Sequence, residues 1–194
     1  MQSDSFAVFM FVFGILTIIF GFIYIIFAGW WMAEFFIGKL LSPGAAPQVP
    51  SGRKLREAVV AEINENFPDA KTIIDIGSCY GGLARKIAKA RPGAKVVAVE
   101  RMLLAALISK SADRILRSES KTLWADAFGY MEKSEGFDVG VAYLLTPMMP
   151  RLEKLRHKFK TLIVLDFPLP NTKPSREVEL HRDVLGQHWL YIYE

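Results

Sequence analysis

The 194-residue sequence is poor in the residues that build cross-links and metal centres, with one cysteine, Cys79, and three histidines. A single cysteine excludes an intrachain disulfide and a cysteine-based zinc site, and it agrees with a reducing compartment. The histidines are scattered, so no metal centre is expected. Charge is absent from one stretch altogether: Phe6 to Ala33 is 28 consecutive residues without Asp, Glu, Lys or Arg, dominated by Phe, Ile, Val and Leu. About 20 apolar residues at roughly 1.5 Å rise each cross a hydrocarbon layer of about 30 Å, so this run predicts a single membrane-spanning helix within residues 1–41. Trp30 and Trp31 stand where an interfacial aromatic belt forms. The segment also lacks the basic leader and short apolar core of a cleaved signal peptide.

Asp4 is the one charged side chain before the apolar run, whereas Lys39, Arg53, Lys54 and Arg56 follow it closely. The positive-inside bias therefore predicts a single-pass membrane protein whose C-terminal part faces the cytoplasm. Gly14, Gly21 and Ala28 recur every seventh residue, which offers a small-residue face to another helix; the ordinary abundance of glycine in membrane helices explains the same residues. Residues 42–194 suffice for one globular domain. They carry 23 basic and 18 acidic side chains. That excess suits anionic headgroups or an acidic partner and falls short of a nucleic-acid signature, so a bilayer and a membrane-protein substrate are expected as partners and nucleic acid is not.

Ser42 to Gly52 reads SPGAAPQVPSG, a proline- and glycine-rich linker that cannot continue a helix. The domain over 53–194 begins with an amphipathic helix, Arg53 to Phe67, carrying apolar Leu55, Val59, Ile63 and Phe67. Buried strands and helices then alternate. Strands are predicted at Thr72–Ile76, Lys95–Val99, Thr122–Trp124, Phe137–Tyr143 and Thr161–Leu165. Helices are predicted at Gly82–Ala90, Met102–Leu116 and Met148–Phe159. This alternation implies an α/β fold with a mostly parallel sheet covered on both faces. Two strand-like runs, Glu177–Val184 and His188–Tyr193, flank Gly186 and predict a closing antiparallel hairpin.

The informative passage is IIDIGSCYGGLARKIAKA, where a buried strand ends in Asp75, turns through Gly77, Ser78, Cys79, Tyr80 and Gly81, and enters a helix. Glycines there let a ligand approach the backbone, and the helix N-terminus offers unpaired N–H groups. The second strand ends at Glu100, whose carboxylate can accept both hydroxyl hydrogens of a ribose. No GK[ST] follows the turn, so a Walker A phosphate loop is excluded, and a dinucleotide fingerprint would need glycine at Cys79. What remains is Asp-x-Gly-x-x-x-Gly with an acid ending the next strand, which resembles motif I of the Rossmann-like, class I S-adenosylmethionine methyltransferases. Asp126, in LWADAF after a short strand, stands where such enzymes carry an Asp for the adenine amino group; a plain helix N-cap explains the same residue.

The serial order VPSGRKLREAVV, IIDIGSCYGG, VVAVE, WADAF, YLLTPMMPRLEKL, DFPLP and WLYIYE resembles the membrane-anchored lysine methyltransferases of the ATP synthase c subunit and the adenine nucleotide translocase, with their prokaryotic relatives. That resemblance implies S-adenosyl-L-methionine as cofactor and a lysine of a membrane protein as acceptor. Asp75, Gly77, Ser78, Cys79 and Gly81 would cradle the methionine part, Glu100 the ribose and Asp126 the adenine. Val49 to Ser51 and the stretch from Tyr143 and Leu144 to Thr146 and Pro147 would border the acceptor entrance; Thr146 and Pro147 also read as a strand-to-helix turn with an N-cap. Where the family reads Gly-Ser-Gly-Asp-Gly-Arg, this chain has Gly77, Ser78, Cys79, Tyr80, Gly81 and Gly82. Two readings follow, a methyltransferase with adjusted geometry or a degenerate, inactive domain that binds a membrane partner. Methyl transfer needs a neutral amine held in line and shielded from water. Backbone carbonyls near Tyr143 and Leu144, or the side chains of Tyr80, Tyr143 and Asp166, are the candidates to orient it. Arg151, Lys154, Arg156, Lys158 and Lys160 read either as a solvated helix or as a face toward anionic headgroups.

Overall fold

In the computed structural model, a largely β-branched run, Thr72–Ile76 (β1), lies inside a seven-stranded sheet, third from one edge. The structure describes residues 2–41, 51–183 and 186–194, and the chain divides into two units, Met1–Gly44 and Ala45–Glu194. The predicted spacer, with Val49 and Pro50, lies outside the described residues except for Ser51 and Gly52.

The first unit is one helix, Gln2–Leu41 (α1). Its segment Val8–Met32, 25 residues with a mean hydropathy of 2.7, is long and apolar enough to cross a membrane. The Thr17 hydroxyl donates to the Phe13 carbonyl at 2.9 Å, which satisfies the polar group within its own helix.

The second unit alternates as its sequence pattern dictates. Helix Arg53–Asn66 (α2) precedes β1, followed by Gly82–Ala90 (α3), Lys95–Glu100 (β2), Leu103–Ile115 (α4), Lys121–Trp124 (β3), Ala127–Glu132 (α5), Phe137–Ala142 (β4), Met149–Lys154 (α6), Phe159–Leu165 (β5), Arg176–Asp183 (β6) and Gly186–Tyr193 (β7). The sheet order is β3-β2-β1-β4-β5-β7-β6, with β1 to β5 parallel and β7 antiparallel to both β5 and β6. Two expectations need correction. The helix expected over Met148–Phe159 breaks into 3-10 turns at Thr146–Met148 and Arg156–Lys158 around the short α6, and Phe159 already belongs to β5. Three of the basic residues in and just after this stretch bond within the domain: Arg156 donates to the Phe159 carbonyl at 2.6 Å, Lys158 to the Ser134 carbonyl at 2.7 Å, and the largely exposed Lys160 pairs with Asp138 at 2.7 Å. Helix α5 has no counterpart among the expected elements.

Successive strand residues face opposite sides of a sheet, so β1 sends Ile73 and Asp75 to one face and Ile74 and Ile76 to the other. The first face is covered by α2 and α3 through Leu55, Val59, Ile63, Leu83 and Ile87. The second is covered by α5 and α6 through Phe128, Met131, Met149 and Leu152. Val59 and Ile63 are fully buried, each worth about 1.5–3 kcal/mol. A buried Glu62 receives both terminal guanidinium nitrogens of Arg176, which ties α2 to β6. At the other end of β1, the Asp138 Oδ2 accepts from Lys71 N, Thr72 N and the Thr72 hydroxyl, all at 2.9 Å, and clamps the start of β1 to β4. These ties leave the C-terminal ends of the parallel strands to carry the loops where such sheets bind ligands.

Candidate active site

The turn after β1 folds back over β2: Gly77 N and Ser78 N both donate to the Val99 carbonyl, at 3.0 and 3.1 Å. Gly77 has φ +73°, the left-handed region that favours glycine, and a Cβ there would stand 2.7 Å from the terminal Cδ2 methyl of Leu144. Cys79 follows at φ +51°, the left-handed region, in which a side chain costs about 1–2 kcal/mol. That conformation aims its N–H at Glu100 Oε2, 2.7 Å away, while Glu100 Oε1 accepts from Met102 N at 2.7 Å. Two charge-assisted bonds thus fix the acid ending β2, which is 6% exposed. Gly81, at φ +69°, is the cap of α3, and a Cβ there would strike the Ser109 hydroxyl of α4. Packing against α4 therefore accounts for Gly81, which lines neither of the two cavities beside the turn.

The larger cavity, of about 480 Å³, opens over these strand ends. Gly77, Cys79, Glu100 and Asp126 line it, with Met102, Phe128, Tyr143, Leu144, Leu145 and Met148 as its apolar walls. Asp126 does two things at once. It caps α5 by accepting from Gly129 N at 3.2 Å, and it pairs with Arg151 at 3.2 Å while Arg151 lies 4.4 Å over the Phe128 ring. Of the acceptor-side candidates, Tyr143 and Leu144 line the cavity, whereas Thr146 and Pro147 form the adjoining 3-10 turn and do not. Thr146 is not the cap of that turn either; Leu145 is, without a side-chain bond.

A smaller cavity of about 170 Å³ adjoins the first, sharing Gly77, Cys79 and Tyr143 with it and adding Ser51, Arg56, Asp75, Ser78 and Tyr80. Asp75 therefore faces this second space and not the larger one. Burial pushes its carboxyl up from 3.8 to about 7, and the nearby charge of Glu100 adds to the rise, against the opposing pull of the Ala84 N–H and Arg85.

Solved structures of similar fold are methyltransferases for the most part. An RNA methyltransferase from Salinibacter ruber, solved with S-adenosyl-L-homocysteine, superposes with a TM-score of 0.61 at 18% identity, covering 75% of this chain and 92% of its own. A protein from Klebsiella pneumoniae described as an O-methyltransferase gives 0.59 at 12% identity, over 84% and 97% of the two chains. M. capricolum TrmK, also bound to S-adenosylhomocysteine, gives 0.57 at 12% over 69% and 66%. The fold is that of the class I methyltransferases. No family model and no curated protein sequence matches the chain.

On this methyltransferase fold one pair of side chains is brought together that the sequence does not pair. His188 of β7, 3% exposed, places Nδ1 2.8 Å from Asp166 Oδ2, and both residues line the larger cavity. Asp166 sits at φ +61° just after β5, and its Oδ1 accepts from Trp189 N at 3.0 Å. Asp166 is a candidate from its strand-end position; a lone histidine in a hairpin carries no sequence signal, and only the β5–β7 pairing brings the two together. Among the described residues no group of three or more His, Cys, Asp or Glu is placed to hold a metal ion.

Proposed function

We propose that the chain is a membrane-anchored, S-adenosylmethionine-dependent methyltransferase that acts on a lysine of a membrane protein from the cytoplasmic side. The observation that carries this reading is the pair of acids, Glu100 and Asp126, after adjacent parallel strands on one cavity of about 480 Å³, beside the Gly77 turn. The residues fit the cofactor. Glu100, held in place by the Cys79 and Met102 N–H groups, presents to the cavity the carboxylate that would receive the ribose hydroxyls. Asp126 at the α5 cap would receive the exocyclic amine of adenine, with Met102 and Phe128 as apolar walls for the ring. S-adenosylmethionine supplies a methyl group on a positively charged sulfur, so the protein needs little covalent chemistry of its own.

The rest of the mechanism belongs to this chain's residues. The carbonyls of Tyr143 and Leu144 point the acceptor amine, and the apolar walls exclude water so that the amine loses its proton more readily. Asp166 fixes the ring of His188, and with it the wall formed by the β5–β7 junction. The RNA acceptor of the Salinibacter ruber enzyme does not transfer to this chain at 18% identity. The 25-residue apolar helix and the basic residues after it favour a membrane-borne acceptor, whose effective concentration the anchor raises. The test uses the full chain in liposomes with radiolabelled cofactor. Label transferred to a co-reconstituted membrane protein, and lost when its acceptor lysine is changed to arginine, is the expected result; label on RNA alone would overturn the acceptor. Strained Cys79 favours the second reading, an inactive binding domain, which predicts no cofactor binding at all.

A further inference from the structure

We infer that the outward face of α4 is a docking surface for an anionic lipid headgroup layer, a membrane contact additional to the apolar helix α1. The inference rests on the membrane-anchored reading above and extends it; it is independent of which group accepts the methyl.

Helix α4 is built inside out. It turns Ala105, Ala106 and Ser109 to the interior, where the Ser109 hydroxyl hydrogen-bonds that of Thr122 on β3 at 2.7 Å. Its large apolar residues go the other way: Leu107 is 49% exposed, Ile115 80%, and Leu116, which caps the helix, 66%. A surface helix ordinarily buries its bulkiest side chains and keeps polar ones for water. At 3.6 residues per turn, Leu104, Leu107, Ser111 and Ile115 fall within about 80° of arc, so the exposed apolar residues form a strip along the helix. Trp124, at the end of the edge strand β3, continues it: the ring is 50% exposed, and its N–H donates at 2.9 Å to the carbonyl of Arg101, two residues before α4.

Charge decides the occupant. Leu103 to Arg117 contains three basic residues, Lys110, Arg114 and Arg117, all exposed, and a single acid, Asp113. Asp113 faces inward, pairing with Arg85 at 3.1 Å and accepting from the Thr122 hydroxyl at 2.6 Å. The next acid, Glu119, lies beyond the helix and accepts from Gly93 N at 3.5 Å. The outward face of α4 is therefore apolar and basic, the pattern of a helix that lies in a headgroup layer with its aliphatic side chains among acyl chains and its cations at the phosphates. Arg117 adds an independent sign. It holds φ +50° just past the helix, where glycine is the usual residue, so a long basic side chain is kept there against the backbone preference. A second copy seated face to face would set these cations against their like. The helix also starts at the larger cavity, which its N-cap Met102 lines. A docked α4 thus holds that cavity at the headgroup surface, where a membrane-borne acceptor is found.

The test places a spin label on the full chain in vesicles, either at Ser111→Cys on the outward strip or at Lys173→Cys, exposed ahead of β6, as the reference. The unaltered chain, whose Cys79 is buried, is the blank. Collision with a water-soluble nickel chelate should be suppressed at 111 relative to 173 in vesicles of phosphatidylcholine with phosphatidylglycerol, and restored in phosphatidylcholine alone. Each cation at an anionic surface is worth about fivefold, so Lys110→Gln with Arg114→Gln should lower the docked-to-free ratio about 25-fold. Leu107→Gln with Ile115→Gln should release the label as well, and because all four side chains are exposed both variants should keep the parent Tm. Equal nickel access at 111 and 173 in the anionic vesicles overturns the inference. So does shielding that ignores the lipid charge and the lost cations, or shielding that vanishes as the protein is diluted in lipid, the mark of a second copy. Failure of the full chain to float with vesicles overturns the membrane reading itself, and none of these outcomes bears on the cofactor reading.

Discussion

Replacing Asp75 by asparagine should stabilise the unliganded protein at neutral and alkaline pH while removing ligand binding. The carboxyl is 4% exposed and its pKa stands at about 7 in the folded chain against 3.8 ordinarily, chiefly through desolvation. The folded state therefore holds this proton more firmly than the unfolded state. Stability from this group is greatest below about pH 4, where both states are protonated, and is lost as pH rises through about 7, above which both are ionised. A rise of about three pKa units at 1.36 kcal/mol each amounts to roughly 4 kcal/mol. The Asp75→Asn side chain keeps the shape without the charge, so the variant escapes that loss. The difference between variant and parent should be small near pH 4, grow through about pH 5 and 6, and level off near about 4 kcal/mol by about pH 8, or roughly 10 °C in Tm. Scanning calorimetry of both proteins in the same detergent measures it, and subtraction cancels every other titrating group. A pH-independent difference would refute the placement of Asp75 in an unsatisfied, desolvated site. The ligand arm has the opposite sign: if Asp75 cradles the methionine part of the cofactor, the ammonium there needs the ionised carboxylate, so affinity of the parent for S-adenosylhomocysteine should rise up to about tenfold per pH unit between about pH 5 and 7, with proton release on binding.

Cys79→Gly relieves a left-handed side chain and should stabilise the domain by about 1 kcal/mol in chemical denaturation. Glu100→Ala leaves the Cys79 and Met102 N–H groups without their acceptor, so it should cost about 2–4 kcal/mol and reduce 5′-methylthioadenosine binding as strongly as S-adenosylhomocysteine binding. Asp138, held well below the usual carboxylate range by Lys160 and the backbone of Lys71 and Thr72, contributes stability that is lost as pH falls through its depressed pKa. Asp138→Ala should destabilise by about 2–3 kcal/mol at pH 7 and progressively less in acid, as read by urea midpoints.

What could be read from the sequence was whatever is local and periodic. The bounds of β1 and α3 follow from a β-branched run that stops at Gly77 and an apolar repeat that starts after Gly81. The Glu100 and Asp126 positions were legible because a strand end fixes them within a residue or two. Helix α5 escaped because six residues are too short to show a period, and its one signal, the Asp126 cap, read equally well as a ligand contact. The stretch 148–159 keeps helical spacing, but Phe159 is claimed by pairing with Phe137 on β4, a tertiary preference that local pattern does not carry. The Asp166–His188 pair joins residues 22 apart in sequence on separate elements, so the topology alone assembles it. The same holds for Gly81, whose neighbour Ser109 comes from α4.

The cofactor reading rests on the strand-end cavity of this methyltransferase fold. Equilibrium dialysis of the purified full chain against radiolabelled S-adenosylmethionine tests it most directly. Saturable binding of one molecule per chain, competed by S-adenosylhomocysteine and abolished by Glu100→Ala, is the expected result; no retained label at millimolar ligand, from a protein that still unfolds cooperatively, would overturn the cofactor reading.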